Sequence, residues 1–408
     1  MKDSYDVVIV GAGVIGCAIA RSLSSKYRGN FAIIEKERSV GEHASSRNSG
    51  VIHSGFYYKP GSLKARFSVE GNRRLRDYCP SANVPLKTVG TLVIALNHED
   101  HNILEELHRR GRDNGVHGLT IIGRDDLRRL EPHVAGYEAL YSPTGAIINS
   151  RSLVTSLADD SLRNGVDLLL GIELESINER ERTIAISTNR GEIRTHNLIN
   201  CAGLNADRVA KEMGVGSGYA IIPFRGEYQE LIANKSHLLN SMVYPTPDLE
   251  RPFLGIHLTK TINGRVIAGP NAVLAPGREA YRNRDINLKD MMQMLLFSGF
   301  SKMVMNNSRI GLEELHASIS KSEFVRKVRQ LLPIIANHDL IRSKSGIRAQ
   351  LVDRFGNFVD DLVVESTDRS IHILNAVSPG MTCSLPFADY VVNMIDEKFG
   401  ISPIRSVE

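Results

Sequence analysis

The chain has 408 residues, with 50 lysines and arginines against 46 aspartates and glutamates and a formal net charge of +4. This length predicts two domains, because one hydrophobic core seldom serves so many residues. The mild and evenly mixed charge contains no basic block of the kind that binds nucleic acid, so a nucleic-acid partner is not expected.

Neither a membrane span nor a metal site is predicted. No stretch reaches the ~20 uninterrupted apolar residues that cross a bilayer, and glycines interrupt the apolar run near the start, unlike a signal peptide. The four cysteines, Cys17, Cys79, Cys201 and Cys383, stand far apart with no spacing typical of zinc ligands. We therefore expect a reducing, cytoplasmic location, with peripheral membrane contact left open.

The chain opens with a predicted βαβ unit. Asp6–Val10 is a β-branched run typical of a buried parallel strand. A glycine motif, Gly11-Ala-Gly13-Val-Ile-Gly16, leads into a helix over Val14–Ser25, and a second strand, Phe31–Ile34, ends at Glu35. A strand, a G-x-G-x-x-G turn and a helix in this order indicate a Rossmann-type dinucleotide site.

Each motif residue has a physical task in such a site. Gly11 permits the tight turn, Gly13 lets the backbone approach a pyrophosphate, and Gly16 allows the helix to pack on the strand. The helix N-terminus offers N–H groups and partial positive charge to phosphate. The Glu35 carboxylate can accept hydrogen bonds from the ribose hydroxyls, and it disfavours NADP because it would repel the 2′-phosphate. The motif alone does not separate FAD from NAD. The structural alternative is a plain glycine turn.

A long polar loop from Gly41 to Gly55 favours FAD. It is rich in short hydrogen-bonding side chains, which suits a ribityl chain and an isoalloxazine ring, whereas NAD folds usually continue with strand and helix. The alternative is an ordinary surface loop. The cofactor contacts expected from Glu35 onwards are Lys36, Ser45, Ser46, Arg47, Asn48 and Ser49.

A second segment of the nucleotide-binding sheet is predicted in the middle of the chain. A helix over Ser150–Asn164 and a strand over Asp167–Leu170 precede the run Leu198–Gly203, which indicates a strand that enters a small-residue turn, and a helix follows from Ala206. We expect Ala202 and Gly203 of this turn to contact the cofactor.

The last predicted strand and helix complete the site. The run Ser370–Asn375 indicates a strand, and a Pro-Gly turn leads into a helix over Ser384–Phe399. The N-terminus of that helix can stabilise negative charge on a reduced flavin. The residues expected to contact the cofactor here are Pro379, Gly380, Met381 and Thr382.

Other segments predict a second, mixed region. Thr91–Leu96 and Arg265–Ala268 are typical of strands, while Leu288–Met305 and Ser322–Leu332 are typical of helices. The first of these helices is dense in methionine, which we interpret as core packing rather than a cofactor site.

Several longer stretches resemble the glycine/D-amino-acid oxidase-like FAD superfamily, and within it the L-2-hydroxyglutarate dehydrogenases and oxidases. The stretches that carry the resemblance are Ser46–Lys64, Pro223–Tyr228, Tyr244–Pro247, Pro252–Leu258, Gly269–Ala272, Gly346–Gln350, Val359–Asp361 and Asn375–Pro379. The resemblance implies an α/β fold in which a Rossmann-type FAD domain is interleaved with an antiparallel-sheet roof. The implied FAD domain is 1–79, 149–218 and 341–408, and the implied substrate domain is 80–148 and 219–340.

The resemblance implies oxidation of a small anionic 2-hydroxy acid, most simply L-2-hydroxyglutarate to 2-oxoglutarate. Flavin takes the hydride, and an arginine fork suits the substrate carboxylate. Arg348, where the superfamily places its substrate-binding arginine, is the first candidate. Arg225 is the second, and Arg225 or Lys64 could bind a second carboxylate.

Two histidines are candidates for the base that takes the hydroxyl proton, because imidazole titrates near neutral pH. His53 lies in the flavin loop and His257 in the roof. His53 could instead bond to the flavin or tether it covalently, and His372 is expected to be structural. Two alternatives stay open, a glycerol-3-phosphate dehydrogenase of the same superfamily and a non-catalytic flavin-binding protein. The electron acceptor could be oxygen, a quinone or a carrier protein.

Overall fold

A computed structural model provides the structure of the chain. It describes residues 2, 4–249, 255–282, 284–308, 311, 318 and 320–400. Pro252, Phe253 and Leu254, which belong to one of the stretches quoted for the family resemblance, lie outside the described residues.

Strands and helices alternate along the described parts of the chain. The strands are β1 (Tyr5–Val10), β2 (Phe31–Glu35), β3 (Val51–Ile52), β4 (Leu86–Thr88), β5 (Thr91–Ala95), β6 (Thr120–Gly123), β7 (Glu138–Ser142), β8 (Ala146–Ile148), β9 (Asp167–Leu170), β10 (Leu174–Glu179), β11 (Ile184–Thr188), β12 (Gly191–Asn200), β13 (Tyr219–Leu231), β14 (Met242–Pro245), β15 (His257–Lys260), β16 (Val266–Gly269), β17 (Val273–Leu274), β18 (Leu340–Asp353), β19 (Val363–Ser366) and β20 (Ser370–Asn375). The helices are α1 (Val14–Lys26), α2 (Leu63–Ser81), α3 (His101–Asp113), α4 (Arg124–Leu130), α5 (Ser150–Arg163), α6 (Ala206–Glu212), α7 (Leu288–Leu296), α8 (Ser298–Asn306), α9 (Lys321–Leu331) and α10 (Gly380–Lys398).

The first sheet has a parallel centre with the order β9-β2-β1-β12-β20. The hairpin β10–β11 pairs antiparallel with the first half of β12, and β19 pairs antiparallel with β20. Helix α1 packs against α5 and α10, and α10 packs against α2. Because helices cover it, β1 is buried along almost its whole length, as its continuous apolar run predicts.

The second sheet has the order β17-β13-β16-β15-β14-β5-β7-β6, with β18 also paired to β13. It was expected to be antiparallel and mostly is, but β14 pairs parallel with β5. Strands β13 and β18 run antiparallel from the pair Tyr219 and Asp353 to the pair Leu231 and Leu340. This long pair brings β18, which lies in the segment 341–408 assigned to the FAD domain, into the roof. The division into two domains stays a prediction.

Two helices differ from their predicted bounds by more than one residue. The helix expected over Leu288–Met305 breaks at Phe297, which ends α7 and precedes α8. Helix α10 begins at Gly380 rather than Ser384, so the Pro-Gly turn itself forms the start of the helix. Among the described residues, no helix has both the length and the apolar character that crossing a bilayer requires.

Candidate active site

A cavity of about 830 Å³ lies where the first sheet meets the β13–β18 pair. It is at the carboxyl ends of parallel strands, the usual ligand position in open α/β sheets, and its volume is in the usual range for ligand sites. The residues predicted from sequence that line it are Gly11, Gly13, Glu35, Lys36, Ser45, Arg47, Asn48, Ser49, His53, Ala202, Gly203, His257, Arg348, Pro379, Gly380, Met381 and Thr382.

The glycine turn fits the diphosphate of a dinucleotide. Gly11 has a φ of 104°, which favours glycine, and a Cβ on Gly16 would collide with the carbonyl oxygen of Gly11. At Gly13 a Cβ would meet only the Ser45 hydroxyl, at 3.1 Å, so the space beside the turn belongs to the cavity. Gly16 does not line the cavity, which agrees with its packing task.

The side chains around the turn hold it in place. The Val14 N–H, at the start of α1, donates to Ser45 Oγ at 2.9 Å. The Glu35 carboxylate accepts from the N–H of Ala12 at 2.7 Å and from that of Glu37 at 3.0 Å. An acid is therefore fixed beside the glycine turn, as ribose binding requires. Ser46 does not line the cavity, and its hydroxyl is buried beside Gly41.

Lys36 lies beside an acidic group at the cavity wall. Its ammonium pairs with the carboxylates of Glu37 and Glu279, and His43 Nε2 lies 3.0 Å from Glu37 Oε1. The spacing of Glu37, His43 and Glu279 would allow a metal ion. The Lys36 ammonium already supplies positive charge there.

The N-terminus of α10 meets the flavin loop. The backbone N–H of His53, the residue directly after β3, donates to Thr382 Oγ1 at 3.1 Å. This bond links the end of β3 to the first turn of α10. N–H groups in that turn have no partners within the helix, and Gly380, Met381 and Thr382 line the cavity. This positive helix end suits the anionic edge of a reduced flavin.

His257 is buried at the start of β15, with 6% of its surface exposed. Its ring stacks on Tyr244 with centroids 4.1 Å apart, and its Nδ1 lies 3.1 Å from the Gly255 carbonyl oxygen. Because a carbonyl can only accept, Nδ1 carries the proton and Nε2 keeps its lone pair. Burial lowers the pKa of His257 to about 4, so the ring is neutral at neutral pH.

His53 is the second neutral histidine of the cavity. Burial, together with the nearby His257 and the Lys64 charge, lowers its pKa to about 4. The two candidate bases and Lys64 therefore lie close enough to affect one another.

Arg348 faces the cavity from β18. It stands opposite Phe224 of β13, so the two side chains lie on one face of the sheet. Two residues earlier, a Cβ on Gly346 would collide with the Arg47 carbonyl oxygen, so glycine lets β18 approach the flavin loop. Burial lowers the pKa of Arg348, while Tyr58 and Asp360 oppose that shift. A guanidinium stays charged in proteins.

Lys64 supplies a second cation near Arg348. It is 3% exposed, and its ammonium lies 3.2 Å from Asp360 Oδ1. Burial lowers the pKa of Lys64; Asp360 opposes this shift and the charge of Arg348 adds to it. Asp361 accepts from the backbone N–H groups of Leu63 and Lys64, both at 2.9 Å, and so fixes the start of α2. Lys64 stands behind the residues that line the cavity.

Arg225, the second predicted arginine, points the other way. Phe224, Gly226 and Tyr228 of β13 line the cavity, and alternation along a strand places Arg225 on the opposite face. There it donates to Glu227 Oε1 at 3.1 Å and to the Ala280 carbonyl at 3.4 Å. This placement does not support its assignment to a substrate carboxylate.

His372 lies inside the first sheet and does not line the cavity. Its Nδ1 accepts from the Asn200 amide at 3.1 Å, and its Nε2 lies 2.7 Å from Ser370 Oγ. The ring is fully buried, and burial lowers its pKa to about 4. It therefore joins β12 to β20 as a neutral side chain.

Two tyrosines of the cavity were not among the predicted site residues. Tyr244 stacks on His257. The Tyr228 hydroxyl forms a hydrogen bond with Ser49. Burial raises the pKa of Tyr228 to about 12, and the bond to Ser49 opposes this rise. Both lie in stretches that carry the family resemblance. For Tyr228 the signal was alternation, since every second residue from Phe224 faces the cavity.

The site has the features of the class of flavin-dependent oxidoreductases. They are a Rossmann-type sheet, a glycine turn with its acid and a second helix N-terminus. The family model described as FAD dependent oxidoreductase matches residues 6–394, and the chain belongs to this family. FAD is its cofactor and oxidoreduction its activity; the resemblance seen in the sequence is confirmed.

Individual proteins are similar over almost the whole chain. It is 37% identical to an L-2-hydroxyglutarate dehydrogenase of Salmonella houtenae, covering 96% of this chain and 93% of that protein. It is also 37% identical to the mitochondrial L-2-hydroxyglutarate dehydrogenase of Mus musculus, covering 96% and 88%. An FAD-bound L-alpha-glycerophosphate oxidase from Mycoplasma pneumoniae shares the fold, with a TM-score of 0.81, 22% identity and coverage of 100% and 97%.

Proposed function

We propose that the protein oxidises L-2-hydroxyglutarate to 2-oxoglutarate. The proposal is supported by the L-2-hydroxyglutarate dehydrogenases to which the chain is similar. The observation that carries it is a pair of cations near the two neutral imidazoles of the cavity. Arg348 lines the cavity with His53 and His257, and the buried Lys64, which does not itself line the cavity, is close enough to Arg348 and His53 to affect their electrostatics. Two fixed cations match a dicarboxylate, and a neutral imidazole matches a hydroxyl that must lose its proton.

The two cations have different tasks in this proposal. Arg348 binds the carboxylate next to the reacting carbon, because the guanidinium fork holds a carboxylate in one orientation and so directs the C2–H bond. Lys64 binds the distal carboxylate, for which a point charge suffices. Asp360, which pairs with Lys64 and is 86% exposed at its side chain, is free to turn into solvent when a substrate carboxylate takes its place.

His257 takes the hydroxyl proton at Nε2. The Gly255 carbonyl holds the proton on Nδ1 and stacking on Tyr244 fixes the ring plane. A bound dianion raises the pKa of a nearby imidazole, because the opposite charge favours the imidazolium form. His257 is therefore a stronger base with substrate than without it.

Bound FAD supplies the hydride acceptor of the reaction. The residues that would hold it are the glycine turn, Glu35, the loop from Ser45 to Ser49 and the first turn of α10. His53, whose backbone is tied to Thr382, would position the flavin edge rather than act as the base.

Lys64→Gln tests the assignment to a dicarboxylate. We expect kcat/KM for L-2-hydroxyglutarate to fall about 10- to 150-fold, the effect of losing a charged hydrogen bond. L-2-hydroxypentanoate has the same carbon chain without the distal carboxylate, and its slow oxidation should not change. Equal losses for both substrates would contradict the distal role of Lys64.

Anaerobic flavin reduction separates this function from the alternative, oxidation of glycerol 3-phosphate. L-2-hydroxyglutarate should bleach the flavin absorbance within the time of one turnover, while the D enantiomer and glycerol 3-phosphate should bleach it far more slowly. Faster bleaching by glycerol 3-phosphate would replace the proposal with that alternative. Failure of every 2-hydroxy acid would remove the proposed substrate class.

A further inference from the structure

A second cavity, of about 820 Å³, lies between α2 and the end of α3. Its α2 wall includes Arg66, Arg73 and Arg76, and its other wall includes residues 113–117. We call this cavity the α2 groove. It shares no lining residue with the active-site cavity, and its volume is in the usual range for small-molecule sites.

The three arginines of the α2 groove lie on one face of the helix, because positions seven and three residues apart are neighbours there. All three are exposed, and none forms an ion pair with a described residue. Arg66 lies over the Phe67 ring, 5.3 Å from its centroid. By contrast, Arg74 points elsewhere and pairs with two carboxylates. The groove therefore collects the arginines of α2 that have no carboxylate partner.

The acidic side chains of the groove do not balance this positive charge. They are Glu70, Asp77 and Asp113. Glu70 pairs with Arg74 and Asp113 pairs with Arg109, and both of these arginines lie outside the groove. Among the described lining residues, Asp77 is the acid left to offset three arginines. An excess of positive charge in a cleft attracts anions.

The spacing of the arginines limits the shape of the ligand. With a rise of 1.5 Å per residue, Arg66 and Arg73 are about 10 Å apart along the helix axis, and Arg73 and Arg76 about 4.5 Å. A guanidinium binds two oxygens of a phosphate or carboxylate at once. Arg73 and Arg76 together suit one anionic group, and Arg66 suits a second. The groove therefore fits a small molecule with at least two such groups.

Two asparagines connect the groove to the active site, and both line the groove. The Asn72 amide donates to the carbonyl oxygen of His53 at 3.2 Å. The Asn114 amide donates to the carbonyl oxygens of Gly55 and Tyr58, at 3.0 and 2.9 Å. The backbone that follows β3 is therefore held in place from the side of the groove.

The other side of this segment, 53–58, belongs to the active site. His53 lines the active-site cavity. Burial raises the pKa of Tyr58, and the nearby charge of Arg348 opposes this rise. Because one short segment contacts both sites, a ligand that shifts either asparagine also shifts residues of the active site.

We propose that the α2 groove is a regulatory site for a small anion with at least two phosphate or carboxylate groups. Its occupancy changes the surroundings of the flavin through the segment 53–58. Such coupling is reciprocal, so a ligand of the active site changes the affinity of the groove by the same factor. The inference does not depend on which substrate is oxidised.

Calorimetric titration of the FAD-loaded enzyme tests the proposal. The probes are inorganic pyrophosphate, propane-1,2,3-tricarboxylate and, as a monoanion, acetate. We expect pyrophosphate or the tricarboxylate to bind at least about 10-fold more tightly than acetate, because a second charged hydrogen-bonding group is engaged. The tighter of the two identifies phosphate or carboxylate as the preferred group. Arg73→Gln combined with Arg76→Gln should weaken its binding at least about 10-fold.

The matched control combines Arg124→Gln with Arg128→Gln, which removes the same charge from exposed positions of α4. It should bind the probe as the wild type does. Equal flavin absorbance of both double variants before titration excludes unfolding as the cause. In the wild type and the control, the saturating probe should shift the flavin absorbance spectrum. At the same concentration the Arg73 and Arg76 variant should show a much smaller shift.

Four results would overturn the proposal. The first two are binding of both polyanions no tighter than that of acetate, and equal loss of affinity in the test and control variants. The third is loss of binding in Arg348→Gln but not in the Arg73 and Arg76 variant, which would place the probe in the active site. The fourth is binding in the groove with an unchanged flavin spectrum, which would show that the groove is not coupled to the active site.

Discussion

The carbonyl oxygen of Gly255 determines which nitrogen of His257 can act as a base. Since Nδ1 must donate to it, Nε2 is the atom left to accept a substrate proton. His53 has its backbone N–H committed to the start of α10 and lies where a cofactor contact is expected. From the sequence, His53 and His257 were equal candidates for the base, because the tautomer of His257 depends on a backbone contact that no motif shows.

His257→Gln should lower kcat by roughly 10²- to 10⁴-fold, the usual loss when a general base is removed. In the wild type, kcat/KM should rise with pH through the pKa of about 4, because the base must be neutral. The rising limb of kcat should lie at higher pH, since the bound dianion raises that pKa. Steady-state pH profiles provide the measurement. If His53→Gln removes the rising limb and His257→Gln does not, the two roles are exchanged.

Arg348→Lys keeps the charge but loses the fork. We expect kcat/KM for L-2-hydroxyglutarate to fall about 10- to 150-fold, or about 1.5–3 kcal/mol. Arg225→Lys is the matched control, because Arg225 points away from the cavity and bonds to Glu227; its kcat/KM should stay within about threefold of the wild type. A larger loss in the control than in Arg348→Lys would contradict both placements.

At the scale of elements, features that depend on residues adjacent in sequence were predicted better than features that depend on the pairing of distant strands. The glycine motif, α1 and Glu35 are adjacent in sequence, and all three occur as predicted. Alternation in β13 indicates that Phe224 and Tyr228 share a face, but which face meets the cavity depends on β18, more than a hundred residues away. Nothing in the sequence therefore indicated that Arg225 lies on the face away from the cavity, and that placement follows from the pairing of β13 with β18.

Gly13→Val tests the glycine turn as the FAD site. The added side chain would enter the space beside the turn, where only Ser45 Oγ lies within 4 Å of a Cβ, so the protein should fold and lose FAD. Gly123 precedes α4 with nearly the same backbone, a φ of −78° against −77° at Gly13, and has open space around it. Gly123→Val should keep its flavin. Absorbance at equal protein concentration measures occupancy, and a flavin-loaded Gly13→Val protein would place the diphosphate elsewhere.

At the scale of the whole molecule, the outward face of α7 could not be predicted from its sequence. Both sides of the helix are rich in leucine and methionine, so periodicity does not indicate which side packs. The structure distinguishes them because the β13–β18 pair covers only one. The family resemblance predicted fold and cofactor. Core packing was expected for the methionine-dense segment, and the exposure of Leu288, Met292, Leu295 and Leu296 on α7 becomes clear only when neighbouring elements are in place.

The three histidines with lowered pKa values should make the folded protein sensitive to acid. His53, His257 and His372 have pKa values lowered to about 4 by burial, against roughly 6.5 for an exposed histidine. The unfolded chain therefore binds more protons between these values, and stability falls as pH decreases from roughly 6.5 to 4. Each such histidine contributes a loss of about 1.4 kcal/mol per pH unit within that window.

His372→Gln isolates this effect outside the active site. Removing one buried histidine should reduce the pH dependence of the unfolding free energy by about 1.4 kcal/mol per pH unit between roughly 6.5 and 4, even if the variant is less stable at pH 7 because it loses contacts to Asn200 and Ser370. Urea unfolding at several pH values measures the slopes of the wild type and the variant. Equal slopes for His372→Gln and the wild type would mean that His372 is protonated in the folded protein, and its Nδ1 could then not accept from Asn200.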